Sequence, residues 1–343
     1  MTTLFIVRHT EAEGNLYRRC HGRFDGLVTP NGRQQIAALR ERMLREEIDV
    51  VYASDLTRAC ETARAIAEPK GLSIEKTAGL REMDLGDWED LPWADIASGW
   101  PEENRLFFER APDFRAPGGE SFDDLRRRIS GVVLDILKKH EGKRVCVVSH
   151  AIAIRQLLMS FDEQMGRPPE EYGLVDNTSV TRYEVSGDSF SCIYRNDNLH
   201  KADIKTPFPV VPDGFEETRG YLHFRPAAYP ADEAFIESCW RDSLTALYGP
   251  NGKFDLSGLL ADTRRMHRAH RESVRVVMLG DTPAGLLVYD TYNLTEPDCG
   301  HITLFYLAPA FRGYRLSLQL LGDAVSYYRA LDRKFLSLRV SEK

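Results

Sequence analysis

Leu4-Phe5-Ile6-Val7-Arg8-His9-Thr10-Glu11 near the start of the chain, and Val145-Cys146-Val147-Val148-Ser149-His150 far downstream, share one pattern. Each is a short, unbroken apolar run that gives way to a histidine within two residues. Such a run reads as a strand buried on both faces, and the residues just after it lie at the strand's carboxyl end, where open α/β sheets hold ligands. Arg8-His9 and Ser149-His150 are therefore expected at one edge of one sheet. Val50 to Ala53 leads in the same way into Ser54-Asp55-Leu56-Thr57-Arg58 and a helix from about Leu56 to Glu68. Working outward, Pro30 to Glu47 reads as a helix: Thr29 is the N-cap, Pro30 fits the first turn, and Ile36, Leu39, Met43 and Leu44 form the apolar stripe. Ser121 and Asp124 form a capping-box-like start for a helix through Phe122, Leu125, Ile129, Val132, Ile136 and Leu137. A helix from about Ala151 to Phe161 comes after His150. Val180 to Val185 and Phe190 to Tyr194, joined through Ser186, Gly187 and Asp188, read as a hairpin. Alternating strands and helices predict an α/β fold, a three-layer sandwich around a mostly parallel sheet.

The residues gathered at that edge suit phosphoryl chemistry. Two guanidiniums, Arg8 and Arg58, present rigid forks of donors to phosphoryl oxygens, and the helix start at about Leu56 adds free amides and a favourable dipole. Two imidazoles supply a nucleophile and a further donor. One Arg-His pair means little by itself; several converging on one edge point to an anion site that needs no metal.

These motifs resemble the histidine phosphatases of the phosphoglycerate mutase-like superfamily over most of residues 1–201. The resemblance is carried by Arg8-His9-Thr10-Glu11 with Asn15, by His21-Gly22-Arg23-Phe24-Asp25, and by Ser54-Asp55-Leu56-Thr57-Arg58-Ala59. It continues in Leu80-Arg81-Glu82-Met83-Asp84-Leu85-Gly86-Asp87-Trp88-Glu89, Pro117-Gly118-Gly119-Glu120-Ser121 and Val148-Ser149-His150. It implies that His9 is the nucleophile that becomes phosphohistidine, and that Arg8, Arg58 and His150 grip the phosphoryl oxygens. Glu82 would be the general acid; Asn15, His21 and Gly22 would line the phosphate pocket. Thr10 stands where many members have Gly, His21 where Gln or Thr is commoner, and Ala151 where Gly often succeeds the second histidine. The Gly86–Glu89 and Pro-Gly-Gly-Glu-Ser motifs look more like the phosphatase branch than the mutases, and the stretch after Glu82 is acidic. The implied activity is hydrolysis of a small phosphorylated metabolite, with mutase-type phosphoryl transfer as the alternative. Trp88, Trp93, Trp100, Phe107 and Phe108 read as core in preference to a lid over the site.

A chain of 343 residues has room for about two domains. The net charge of −7 argues against nucleic acid or an anionic membrane as partner. The run Leu4–Val7 is too short for a signal or a membrane span, so a cytoplasmic address is expected. Cys20, Cys60, Cys146, Cys192, Cys239 and Cys299 are widely spaced and read as reduced packing residues. Pro207, Pro209 and Pro212 mark a linker at 205–217 between a domain at 1–204 and another at 218–343. In the second part, strands Leu222–Arg225, Val274–Leu279, Ala284–Tyr289, Ile302–Leu307 and Phe335–Val340 surround helices through Phe235, Cys239 and Trp240, through Leu259, Leu260 and Met266, and on to about Leu331. His267 and His270 share a helical face but have no matching ligands for a metal. The order resembles the GNAT acyltransferases, which implies a smaller α+β domain and an acetyl-CoA loop at Arg312, Gly313, Arg315 and Ser317. Arg315 and Ser317 occupy positions that are small in that family. Members of that family continue with a helix and strands beyond the place of Lys343, so the expectation is a partial domain lacking its last helix and strands, an acetyl-CoA-binding or partner-binding role without efficient acyl transfer, and self-association through the last strand's edge.

Overall fold

A computed structural model describes residues 1–166, 173–201, 203–290 and 298–339. In chain order the strands and α-helices are β1 (Thr2–Arg8), α1 (Glu13–Tyr17), α2 (Pro30–Met43), β2 (Val50–Ala53), α3 (Thr57–Ala67), β3 (Ile74–Lys76), α4 (Trp93–Gly99), α5 (Pro101–Glu109) and α6 (Phe122–Lys139). They continue with β4 (Arg144–Ser149), α7 (Ala151–Gln164), β5 (Val180–Ser186), β6 (Ser189–Asp197), β7 (Leu222–Pro226), α8 (Glu233–Tyr248) and α9 (Leu256–Ala269). The last are β8 (Val274–Leu279), β9 (Thr282–Asp290), β10 (Cys299–Leu307), α10 (Ser317–Ala330) and β11 (Phe335–Leu338). The chain forms two compact units. One is Met1–Leu16, Cys20–Leu91 and Trp100–Thr206; the other is Tyr17–Arg19, Pro92–Gly99 and Pro207–Lys343. Two short segments from the first hundred residues thus group with the second unit, which the composition change at the prolines does not reveal.

The first unit is built on a six-stranded sheet of order β3-β2-β4-β1-β5-β6. β1 pairs in parallel with β4, β4 with β2 and β2 with β3, whereas β5 runs antiparallel to β1 and forms a hairpin with β6. The parallel strands have the expected double-sided burial: Leu4, Ile6, Val7, Val51, Ala53 and Val145–Val148 are almost wholly inaccessible. On one face α2 and α3 bury Leu39, Met43, Ala59, Ala63 and Ile66 against Phe5, Val7, Cys146 and Val148. Helix ends obey local chemistry. The Thr29 side chain accepts from the Gly32 amide, and Ser121 with Asp124 completes a capping box at α6. Trp88 is fully buried, with its ring 5.8 Å from Phe107 and 5.6 Å from Phe114, so this part of the aromatic series is packing.

The second unit has a five-stranded sheet of order β11-β10-β9-β8-β7, antiparallel except for the parallel pair β10 and β11. One apolar cluster gathers Leu222, Val277, Leu287, Ile302, Leu320 and Tyr328; another gathers Ile236, Cys239, Trp240, Met266, Val276 and Leu304. The strand expected to reach Val340 is described to Leu338; Val340 lies outside the described residues. His267 donates through Nε2 to the Ala227 carbonyl, and His270 meets the Tyr327 hydroxyl at 3.1 Å. No group of potential metal ligands occurs among the described residues, and none of their helices is long and apolar enough to cross a membrane. All six cysteines are unbridged.

Candidate active site

The pairing of β1 with β4 sets Arg8 opposite Ser149, so the residues just beyond each strand emerge side by side. The His9 amide donates to the Ser149 carbonyl at 2.9 Å, and the His9 and His150 rings lie 4.9 Å apart between centroids. The Nδ1 of His9 is 2.6 Å from the Thr10 carbonyl oxygen. A carbonyl only accepts, so Nδ1 carries the proton in the neutral ring and Nε2 holds the lone pair. Burial, then Arg58 and Arg8, hold the His9 pKa well below the usual histidine range. His150 is displaced in the same direction by burial, then by Arg58 and His9. It is fully buried, and neither of its ring nitrogens has a hydrogen-bond partner among the described residues.

Two cations border the histidines. Arg8 ends β1 and donates to the Val175 carbonyl, while its Nε has no partner among the described residues; burial pushes its pKa down to about 10. Arg58, in the first turn of α3, is 2% exposed and donates to the carbonyls of Phe24 at 2.8 Å and Gly22 at 2.6 Å. Burial lowers its pKa, opposed by the charges of Glu82, Asp25 and Glu89. Uncharged carbonyls therefore aim these guanidiniums without neutralising them.

Glu82 reaches the same place from the loop before Trp88. Its Oε1 accepts from the amides of Met83 at 3.0 Å and Ala153 at 2.8 Å, and its Oε2 accepts from Ile152 at 2.9 Å. The carboxylate thus sits at the positive end of α7, whose first free amides it satisfies. Arg128 fixes the backbone here by donating to the carbonyls of Gly79, Arg81 and Glu82, and Glu120 holds Arg128 at 2.8 Å through both oxygens. Glu120 also accepts from the Asp84 amide. This is the physical content of the Pro117–Ser121 motif.

The other expected pocket residues divide between support and pocket. Asn15 Oδ1 accepts from the Ala12 amide at 3.1 Å and from Asn177 Nδ2 at 3.4 Å, and Asn177 also donates to the His9 carbonyl. The His21 ring bonds to Asp90 through Nε2 at 2.9 Å and packs where a Cβ on Gly14 or Gly26 would come within 2.5 and 2.6 Å of it. The Gly22 amide donates to Glu89, so it is committed to the protein. Thr10 is accommodated because its hydroxyl donates to the Gly32 carbonyl at 2.6 Å and its amide donates to Thr62. In the second unit, Arg312 is bound to Asp242 and to the Leu307 carbonyl. Gly313 and Arg315 both have left-handed backbone, with φ of 87° and 60°, just before α10 begins at Ser317.

Two roles are not apparent from the sequence. Glu89 accepts four amides, from Gly22, Arg23, Phe24 and Leu85, and so shapes the loop that aims Arg58. Asp84 pairs with Arg23 and Asp90 with His21, so much of the acidic stretch after Glu82 is engaged within the protein. Arg155 of α7 is the other; a charge inside the apolar sequence Ala151-Ile152-Ala153-Ile154-Arg155-Gln156-Leu157-Leu158 is the signal that marks it.

The family model described as the histidine phosphatase superfamily, branch 1, matches residues 4–198. The chain belongs to this family. Among histidine phosphatase relatives, phosphoserine phosphatase 1 of Hydrogenobacter thermophilus is 33% identical over 157 residues, covering 46% of this chain and 74% of its own. Phosphoglycerate mutase-like protein 4 of Arabidopsis thaliana is 35% identical over 202 residues, covering 57% and 86%. Among solved structures, Bacillus stearothermophilus YhfR is 32% identical with a TM-score of 0.55, covering 60% of this chain and all of that one. These matches agree with the histidine phosphatase reading of the first unit.

Proposed function

We propose that the first unit is a phosphomonoester hydrolase that works through a phosphohistidine on His9. The observation that carries the reading is a buried His9 with its Nε2 lone pair free, facing His150 and flanked by two guanidiniums held by uncharged carbonyls. A neutral imidazole attacks phosphorus directly, and the cationic surroundings that keep it neutral also stabilise charge building on the phosphoryl oxygens. Nε2 forms the P–N bond as the P–O ester bond breaks, and the leaving oxygen takes a proton from Glu82. Water then attacks phosphorus, the P–N bond breaks, its electron pair returns to Nε2, and Glu82 receives a proton from the water. Oε2 of Glu82, with one backbone donor, keeps lone-pair capacity for that proton. Arg8, Arg58 and His150 are assigned to the phosphoryl oxygens, so charge stabilisation comes from the chain and no metal is called for. Asn15 is assigned to the pocket through its bond to Asn177 beside His9.

The phosphoserine phosphatase relative supports a small phosphorylated metabolite as substrate; the mutase-like relative keeps phosphoryl transfer to a second acceptor as the other reading. Hydrolysis of phenyl phosphate by the purified chain, compared with its His9→Ala variant, tests the reading: activity lost with His9 supports it, and an active variant overturns it. For the second unit, the left-handed turn at Gly313 and Arg315 ahead of α10 supports an acetyl-CoA-binding loop, with Arg315 offering the charge because Arg312 is engaged by Asp242. Calorimetry with acetyl-CoA tests it; no heat of binding overturns it.

A further inference from the structure

We propose that Arg155 is a specificity residue that binds a carboxylate on the leaving group of the phosphoester, so that the preferred substrates carry an anion besides the phosphate. The inference rests on the phosphatase reading of the site.

Helix α7 is buried almost throughout: Ala153 and Leu157 are wholly inaccessible, and Ile154 and Leu158 are 1% exposed. Ala151, Ile152 and Arg155 differ, at 6%, 8% and 6%, close to His9 at 5% and Glu82 at 6%. Residues three and four apart share a helical face, so these three line one stripe of the helix whose first-turn amides, of Ile152 and Ala153, hold Glu82. Helical side chains lean toward the N-terminus, which directs the long Arg155 side chain back toward that first turn. Burial, then the charge of Arg110, pushes the Arg155 pKa down to about 10, and Glu82 opposes the shift.

Among the described residues the guanidinium has no counter-ion of its own. It lies over the Phe122 ring at 5.2 Å and makes no hydrogen bond with them, its Nε included. Neighbouring Arg126 is paired with Glu163 and Gln156, and Arg110 adds further positive charge. A buried Nε–H without a hydrogen-bonded partner is costly, and a ring face alone does not satisfy it. A planar fork of donors matches a carboxylate in bidentate fashion. Of the acids after Glu82, Asp84 is paired with Arg23 and Asp90 with His21, which limits the negative charge that would oppose a second anion.

The test uses substrate pairs that differ only at the carboxylate: phosphoserine against phosphoethanolamine, and 3-phosphoglycerate against glycerol 3-phosphate. The full chain is expected to prefer the carboxylate-bearing member of each pair by about ten- to hundredfold in kcat/KM, the range for a hydrogen bond to a charged group. That ratio should collapse toward one in Arg155→Met and be partly kept in Arg155→Lys, which also serves if the methionine variant does not fold. A wild-type chain indifferent to the carboxylate, or variants in which both members of each pair fall equally, overturns the proposal. Phenyl phosphate separates the two readings: if the wild type fails on it and on all four esters, the phosphatase reading falls; if it hydrolyses phenyl phosphate without preference within the pairs, only the role of Arg155 falls.

Discussion

His9 and His150 face each other at 4.9 Å across a single backbone hydrogen bond, from the His9 amide to the Ser149 carbonyl. Two neighbouring parallel strands thus deliver both rings to one buried position, where Arg8 and Arg58 already stand. The fold itself therefore sets the protonation state of the site: neither imidazole gains a proton without confronting the other ring and two guanidiniums in a dry environment.

Acid should therefore destabilise the folded chain before most carboxylates titrate. In the unfolded chain both histidines bind protons near the usual value of about 6.5. In the folded chain both are held well below it, so the folded state binds fewer protons in between. Stability is full above about pH 6.5 and falls as pH drops, by at most about 1.4 kcal/mol per pH unit for each histidine. Urea unfolding from pH 7.5 to 5 measures this slope, which should flatten in His150→Asn. A stability that rises on acidification contradicts the account.

Replacing Glu82 with Gln tests its chemical role apart from its structural one. Turnover of an alkyl phosphate, whose leaving alkoxide needs a proton, should fall by about 10² to 10⁴. Nitrophenyl phosphate should lose much less. The change also replaces an acceptor of the Ile152 and Ala153 amides by a single carbonyl oxygen, at about 1–3 kcal/mol of stability. Equal losses for both leaving groups would mark Glu82 as a structural cap alone.

Glu89→Ala leaves the amides of Gly22, Arg23, Phe24 and Leu85 without their common acceptor. Because Arg58 is aimed by the carbonyls of Gly22 and Phe24, phosphate affinity should weaken together with stability. Competitive inhibition by inorganic phosphate and the thermal midpoint should both register the change: a several-fold higher inhibition constant and a loss of about 2 kcal/mol or more. A variant with unchanged phosphate inhibition would uncouple the loop from Arg58.

Addition of a chelator should leave phenyl phosphate hydrolysis unchanged, since the proposed charge stabilisation comes from side chains. Activity lost to the chelator and restored by a metal would refute this.

The sheet and the two histidine junctions are legible in the sequence because unbroken apolar runs such as Val145–Val148 fit strands buried on both faces, and the residues immediately after such strands emerge at one edge. The pairing of Thr29 with Gly32 and of Ser121 with Asp124 is legible for a similar reason, since caps are local. Glu89 is not: in sequence it is one acid among several, and its value comes from amides sixty-odd residues away that the fold brings to it. The internal pairing of Asp84 and Asp90 likewise turns an acidic stretch into a set of tertiary contacts. Nor does composition reveal that Tyr17–Arg19 and Pro92–Gly99 group with the second unit, because grouping by contact is a tertiary property. Arg155 leaves a local trace, a charge in an apolar helix, while its burial over the Phe122 ring is a tertiary contact that the sequence does not show.

Catalysis through His9 requires a covalent phosphohistidine. The most direct measurement is a rapid alkaline quench of the chain turning over a phosphoester with a fast leaving group, then peptide mapping under conditions that preserve phosphoramidates. A phosphoryl group on His9, stable to alkali, labile to acid and absent from His9→Ala, is the expected result; an active enzyme whose adduct lies on another residue, or is alkali-labile, would contradict a His9 nucleophile.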